Sequence, residues 1–159
     1  LAAKDYLRVE VDYVSLNQPD REGRIIVPHT LVWTGLRWHV RGWCEKNQDY
    51  RDFVLSRFRG EPEVLDESDH TSASDEDWHT LVTIEIAPDP RLTADQQAVV
   101  AHDYGMTDGK WQLSVRAKLL PYLLQLLRLD PTQVMEDARA QQIVILNQAD
   151  IEAWLFPSG

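Results

Sequence analysis

Several features that define common protein classes are missing from this chain of 159 residues. It has one cysteine, Cys44, so no internal disulfide can form, which suits a reducing compartment. Its longest apolar run, within 119–124, is interrupted by Pro121 and falls far short of the about 18 residues that suggest a membrane span. No signal-peptide pattern opens the chain. We therefore expect a cytoplasmic protein. Because the sequence starts at Leu1 rather than Met, we also expect it to be a fragment of a longer one.

Motifs of the common enzyme classes are also absent. The sequence contains no HExxH, GxSxG or CxxC motif and no Gly-rich phosphate loop. Five histidines stand among many acids, but His70 and His79 lie in an acidic stretch, where solvated residues are commoner than metal ligands. His102 and Asp103 suit the end of a helix. We therefore predict that the protein is not an enzyme and that it needs no metal and no cofactor.

Positive charge is scarce and unevenly placed. The chain has 16 Lys and Arg against 26 Asp and Glu, a net charge of −10 and a pI near 4.8, which argues against a surface that binds DNA over its whole extent. Residues 24–60 are the exception, with six arginines and one lysine against three acids. Their net charge of +4 leaves −14 for the rest of the chain. This basic stretch predicts a focused anion site.

Short runs of alternating apolar and polar residues fill the first part of the chain, with the period of β-strands. The runs cover 6–15, 25–34, 37–45 and 50–58, and turn clusters separate them. Pro28 predicts a break or an edge position, and Gly42 predicts a sharp bend. Four or five short strands with tight turns predict a small antiparallel barrel or a curled sheet.

The remaining sequence divides into an acidic stretch and a mixed segment. Residues 61–79 hold eight acids and no Lys or Arg, which is typical of a linker. Strands are then predicted over 81–87, 111–117 and 142–146, with helices that open at Thr93, over 119–129 and at Asn147 with Asp150. This order predicts an α/β sandwich with helices over one sheet face. We place a β-domain at 1–61, a linker at 62–79 and a second domain at 80–159.

Alternation also sorts the basic stretch into faces. The core side of strand 37–45 would carry Trp38, Val40, Gly42 and Cys44, and the other side would carry Arg37, His39, Arg41 and Trp43. On strand 50–58, Arg51 and Arg57 would share a face and Ser56 would lie opposite. Pairing of the two strands would then bring these arginines close to His39 and Arg41.

Arginine forks suit phosphate oxygens, and aromatic rings stack on bases. The candidate ligand-binding residues are therefore His29, His39, Arg41, Arg51, Ser56 and Arg57. The alternative is that the arginines form cross-strand ion pairs with nearby acids, namely Glu45, Asp49 and Asp52.

The same residues resemble the WYL domain family. Its hallmark triplet reads Trp38-His39-Val40 here, and its Arg-x-Phe-x-x-x-Arg strand reads RDFVLSR over 51–57. Upstream, PHTL at 28–31 and GLR at 35–37 also fit. The resemblance covers 6–60 and is greatest to regulators linked to bacterial phage-defence islands. Residues 80–159 are similar in element order to the C-terminal extension that often follows WYL domains. His39 and Val40 depart from the Tyr and Leu of the triplet.

The resemblance implies an α+β fold, with a small Sm/SH3-like antiparallel β-barrel followed by a ferredoxin-like α/β sandwich. WYL domains usually follow a winged helix-turn-helix domain, generally act in homodimers and are thought to sense a nucleotide or a nucleic-acid fragment. We therefore expect the ligand-sensing and dimerising region of a transcriptional regulator, with DNA bound by a domain outside this sequence. The alternative is a protein-interaction or assembly module without a small ligand. Its interface would use Trp33, Trp43 and 154–156.

Overall fold

The computed structural model of the protein describes residues 1–155 and divides into two compact units, Leu1–Glu76 and Asp77–Gly159. The finer division of the sequence at 61 and 79 stays a prediction. Phe156, one of the proposed interface residues, lies outside the described residues. Within 1–155, no helix is long and apolar enough to cross a membrane.

The first unit is a five-stranded antiparallel sheet. Its elements are helix α1 (Ala2–Asp5) and strands β1 (Leu7–Tyr13), β2 (Glu22–Trp33), β3 (Trp38–Cys44), β4 (Asp49–Val54) and β5 (Phe58–Glu67). The strand order is β4-β3-β2-β1-β5, and no pairing of β4 with β5 closes this sheet in the part of the chain that is described. The core side buries Val9, Val11, Tyr13, Ile26, Val40, Cys44 and Phe53. The short antiparallel strands that the alternation predicted are confirmed.

The strand predicted over 50–58 is wrong in its second half. β4 ends at Val54, a 3-10 turn covers Leu55–Arg57, and β5 begins at Phe58. Tyr13 explains the turn, because its hydroxyl accepts the Val54 amide at 3.0 Å and its ring centroid lies 5.2 Å from that of Phe58. The turn thus brings Phe58 back onto the core aromatic rings.

A β-bulge interrupts β2 beside Pro28. Pro28 pairs with Gly42 and Thr30 pairs with Arg41, which leaves His29 as the extra residue. The break follows from the missing amide proton of Pro28. Gly42 is required opposite, because a Cβ at that position would lie 2.7 Å from the Cα of Pro28.

Trp38 is exposed, although the alternation placed it on the core side of the sheet with Val40 and Cys44. Its exposed fraction is 49 %, and its ring centroid lies 5.5 Å from that of Trp33, its cross-strand partner. Val40 and Cys44, on the same strand, are buried as predicted. The two tryptophans form the last pair before the β2–β3 turn, where the core residues no longer cover them.

The second unit is a three-stranded antiparallel sheet with helices. Helix α2 (Glu76–His79) spans the boundary in the chain between the two units. The elements that follow it are β6 (Leu81–Pro88), α3 (Ala94–Asp103), β7 (Trp111–Arg116), α4 (Leu120–Leu126), α5 (Ala138–Gln141), β8 (Ile143–Ile145) and α6 (Gln148–Ile151). The strand order is β7-β6-β8. Its core includes the fully buried side chains of Ile84, Ile86, Leu120, Ile143 and Ile151. Together the units confirm the mixed α+β class.

Helix ends in the second unit largely follow the sequence signals. The capping box at Thr93 and the early position of Pro121 in α4 are confirmed. Asn147 differs, because it makes no side-chain cap for α6. Its amide nitrogen donates to the Thr83 carbonyl at 2.7 Å and its side-chain oxygen accepts the Glu85 amide at 2.9 Å. Asn147 therefore fixes the start of α6 to β6.

Candidate functional site

The strand register shows which residues share each of the two sides of the first sheet. In antiparallel sheets, directly paired residues project to the same side. Arg41 pairs with Thr30 and Asp52, and Trp43 pairs with Tyr50. We call this side of β2, β3 and β4 the Arg41 face. His39 also lies on it, as the alternation predicted, since it precedes Arg41 by two residues on β3.

Arg41 forms the centre of this face. It is only 2 % exposed, and its Nε and Nη2 donate to the two carboxylate oxygens of Asp75 at 2.6 and 2.9 Å. Its Nη1 also donates to Asp52 at 3.2 Å. Burial opposes the charge of Arg41, but the hydrogen bonds and charges of Asp75 and Asp52 outweigh burial and raise its pKa. The cross-strand ion pair with Asp52, which was the alternative to a ligand-binding role for Arg41, is therefore present, beside a closer pair with Asp75 that the sequence did not indicate.

His29 reaches the same carboxylate from the bulge. Its Nε2 lies 2.9 Å from Oδ2 of Asp75, and its Nδ1 lies 2.7 Å from the hydroxyl of Thr30. Burial lowers the pKa of His29, although the hydrogen bond to Asp75 partly offsets this effect. Burial therefore favours the neutral ring, and because a carboxylate can only accept, the matching tautomer has Nε2 donating to Asp75 and Nδ1 accepting from Thr30.

His39 lies further along β3, buried between cationic neighbours. Burial lowers its pKa first, and the positive charges of Arg37 and Arg57 lower it further, while Asp52 acts in the opposite direction. Arg37 is exposed and Arg57 is half-buried. We call these two arginines, which act on the charge of His39 from positions that solvent reaches, the cationic rim.

The other two predicted ligand residues are not brought to this face. Arg51 pairs with Gly42, so it projects to the opposite side from Arg41, and the predicted closeness of the two arginines is wrong. Its Nε lies 3.6 Å from Asp49, and its side chain is 53 % exposed. Ser56 is exposed on the 3-10 turn, because β4 ends before it.

Asp75 is the residue that the sequence analysis missed. It is 1 % exposed, although it lies in the acidic stretch that was predicted as a solvated linker. Only the surplus of acids opposite a basic stretch could have suggested it, since 34 residues separate it from Arg41. Such a distance leaves no local spacing pattern to recognise.

The segment 68–75, which we call the strap, lies over the Arg41 face. The His70 ring is stacked on Trp43 at a centroid distance of 3.9 Å. The Tyr50 hydroxyl donates to the Thr71 carbonyl at 2.8 Å and lies 2.6 Å from the Ser74 hydroxyl. The strap therefore covers Trp43, one of the proposed interface residues, and delivers Asp75 to Arg41.

The core side of the sheet offers a different kind of space. An apolar pocket of about 250 Å³ opens there, with Val9, Ile26, Val40, Leu55 and Phe58 among its lining residues. Arg59 also lines this pocket, but apolar residues predominate, so the pocket suits an apolar group better than an anion. In residues 1–155, no group of three or more His, Cys, Asp and Glu side chains could hold a metal ion.

Comparisons with known families match both units. Residues 2–61 match the WYL domain, and residues 81–151 match the C-terminal dimerization domain of the BrxR transcriptional regulator. Together the two matches cover most of the chain.

Curated relatives match along almost the whole chain. Proteins called DNA-binding transcriptional repressor CapW are 34 % identical over 154 residues in Stenotrophomonas maltophilia and 36 % identical over 154 residues in Escherichia coli. Each alignment covers 97 % of this chain, and 52 % and 51 % of the relatives. The chain thus spans about half the length of the curated relatives it matches. A solved chain of proteasome accessory factor B/C from Arthrobacter aurescens is 19 % identical over 97 % of this chain and 25 % of its own, with a TM-score of 0.38 that carries no argument.

Proposed function

We propose that the chain is the ligand-sensing and dimerising region of a CapW-like transcriptional repressor, because residues 2–61 match the WYL domain and residues 81–151 match the BrxR C-terminal dimerization domain. In this proposal a separate winged helix-turn-helix domain of the full protein binds DNA in the cytoplasm. The genes it controls belong to a phage-defence system. The observation that carries the proposal is the succession of the two matched domains in one chain.

The finer fold assignment is part of the same proposal. The order β4-β3-β2-β1-β5 and the 3-10 turn between β4 and β5 support an Sm/SH3-like barrel for the first unit. A ferredoxin-like arrangement of the second unit has less support, because its sheet has three strands, all antiparallel to their neighbours.

The ligand we propose is a nucleotide or a short single-stranded nucleic acid bound at the Arg41 face. Arg37 and Arg57 would meet its phosphates at the rim, and His29, His39 and Arg41 would lie deeper. The surrounding chain is acidic, which disfavours a long polyanion and favours a compact one. Arg51 and Ser56 lie elsewhere, so we leave them out of the proposed site.

Arg57→Ala in the full-length repressor tests this site. We expect its affinity for a labelled single-stranded hexanucleotide, measured by fluorescence anisotropy, to fall about 10-fold, because a charge-assisted hydrogen bond is lost. Arg51→Ala is the matched control, because it removes the same charge from the opposite side of the sheet. Equal losses in both variants would show a general charge effect and contradict the proposed site.

A second function is favoured by one observation. Leu31, Trp33, Leu36 and Trp38 are all large apolar residues with exposed side chains around the β2–β3 turn. Such a patch suits an assembly module that recognises protein surfaces without a small ligand. In that case Trp33→Ala would abolish assembly of the full protein. Neither the native protein nor the variant would bind the hexanucleotide.

A further inference from the structure

The carboxylate of Asp75 binds the guanidinium of Arg41 in the way that an anionic ligand would. Two of its oxygens accept from Nε and Nη2 of Arg41, which is the fork geometry that arginine also offers to phosphate. His29 supplies a third contact to the same carboxylate. The deepest cation of the Arg41 face is therefore already satisfied by an acid of the same chain.

The strap that carries Asp75 is held by hydrogen bonds, by an aromatic stack and by the ion pair of Asp75 with Arg41 rather than by aliphatic packing. Its sequence, SDHTSASD, contains no large aliphatic side chain, and Ala73 is exposed. Its anchors are the hydroxyl bonds of Tyr50, the ring stack of His70 on Trp43 and the Ser68 amide, which donates to the Tyr6 carbonyl at 3.0 Å. Segments that bury little apolar surface open more readily than segments that are packed into a core.

Opening would not leave Arg41 without a counter-charge. Asp52 remains 3.2 Å from its Nη1 and is anchored on β4 rather than on the strap. An incoming phosphate can then take the two donors that Asp75 vacates. The strap is also the last part of the first unit before the chain continues into the second.

We propose that Asp75 is a built-in competitor, which an anionic ligand displaces from Arg41 and His29, so that ligand binding and release of the strap are one linked event. This inference rests on the proposed function and adds how the ligand site is regulated. Linkage makes the effect reciprocal: weakening the strap strengthens ligand binding, and ligand binding loosens the strap. The apparent affinity of the native protein is reduced by the fraction of molecules in which the strap is closed.

Asp75→Asn in the full-length repressor tests the competition directly. We expect it to bind a labelled single-stranded hexanucleotide about 10-fold more tightly, since a charge-assisted pair no longer opposes binding. Asp69→Asn is the matched control, because Asp69 is an exposed strap residue that loses the same charge. An equal gain in hexanucleotide affinity in both variants would show that Asp75 is not a competitor. That result would not contradict the proposed ligand site. No binding by any of the three proteins would overturn both.

Tyr50→Phe provides a test that leaves Arg41 and Asp75 untouched. It removes the hydroxyl that holds Thr71 and Ser74, so we expect hexanucleotide affinity to rise about 3-fold, while Tyr104→Phe in the second unit should leave it unchanged. Hydrogen exchange of the native protein completes the test. Saturation with hexanucleotide should speed exchange of the amides of 71–75, and unchanged or slower exchange there would overturn the inference.

Discussion

At the scale of single residues, the Arg41–Asp75 pair takes two charges out of water, which costs several kcal/mol for each ion in a protein interior. Good geometry and further hydrogen bonds are needed to offset that cost, and both are present. Asp75 receives donors from two side chains, while Arg41 also bonds to Asp52. Removing Asp75 would leave Arg41 paired with Asp52 at 3.2 Å, and removing Arg41 would leave Asp75 beside His29, so this pair determines the conformation of the site more than it adds to stability.

Acidification should destabilise the protein through His29. Its pKa is lowered in the folded state by burial, below the ordinary value of 6.5 that the unfolded chain retains. The unfolded state therefore takes up the proton first, and stability present above pH 6.5 is lost as the pH falls through the folded pKa. Each unit of difference is worth about 1.4 kcal/mol. Urea unfolding at pH 7.5 and pH 5.5 measures the loss.

Two histidine variants identify the source of this loss. His29→Gln keeps an amide donor for Asp75 but cannot take up a proton, so its free energy of unfolding should fall less on acidification than that of the native protein. His102→Gln changes an exposed histidine of α3 and should retain the native pH dependence. If the free energy of unfolding fell by the same amount between pH 7.5 and pH 5.5 in all three proteins, His29 would be ruled out as the cause. His39 contributes in the same direction, because burial also lowers its pKa.

The contrast between His39 and Asp75 shows what sequence can place at this scale. Strand alternation was sufficient to put His39 and Arg41 on one side of β3, because both depend on a period of two residues. Asp75 depends on the path of a strap that returns over the sheet. No propensity or period encodes that path, since it is fixed by contacts such as the stack of His70 on Trp43.

At the scale of elements, the bulge of β2 can form only because glycine stands at position 42 on the neighbouring strand. The bulge turns His29 toward Asp75, and the backbone of Pro28 then comes so close to β3 that only glycine fits opposite. The extended backbone of Gly42 is open to any residue, so the restriction is one of space.

Gly42→Ala should therefore cost about 1–3 kcal/mol or more of unfolding free energy, as overpacked core substitutions do. Gly23→Ala is the matched control within the same sheet. A Cβ there would meet Asp12 Oδ1 at 3.5 Å, an ordinary contact, so its effect should stay within about 0.5 kcal/mol. Chemical denaturation of both variants gives the comparison. A near-neutral Gly42→Ala would mean that the bulge can relax.

Strands and helices of this chain were predictable where a local signal marks their ends. The capping box at Thr93 and the turn position of Pro121 are such signals. The end of β4 was missed, because it depends on the hydroxyl of Tyr13, which is distant in sequence. The role of Asn147 was misassigned for the same reason, since its partners are backbone groups of β6.

At the scale of the whole molecule, the two proposed activities should respond differently to salt. Dimerisation through the second unit should give twice the protomer mass by light scattering at both 50 and 500 mM NaCl, because apolar burial is not screened. Hexanucleotide binding should weaken steeply over the same range, with a log–log slope of about −0.7 for each neutralised phosphate. A salt-sensitive dimer with salt-insensitive nucleotide binding would contradict both assignments.

The open edge at β5 has a consequence for how these molecules behave at high concentration. Unpaired strand edges invite pairing with another copy and are a common starting point for aggregation. This edge carries Glu61, Glu63, Asp66 and Glu67, and Pro62 removes one backbone donor. Two such edges would repel each other and could not form a continuous ladder. The acidity that disfavours long DNA should thus also disfavour the joining of neighbouring sheets edge to edge.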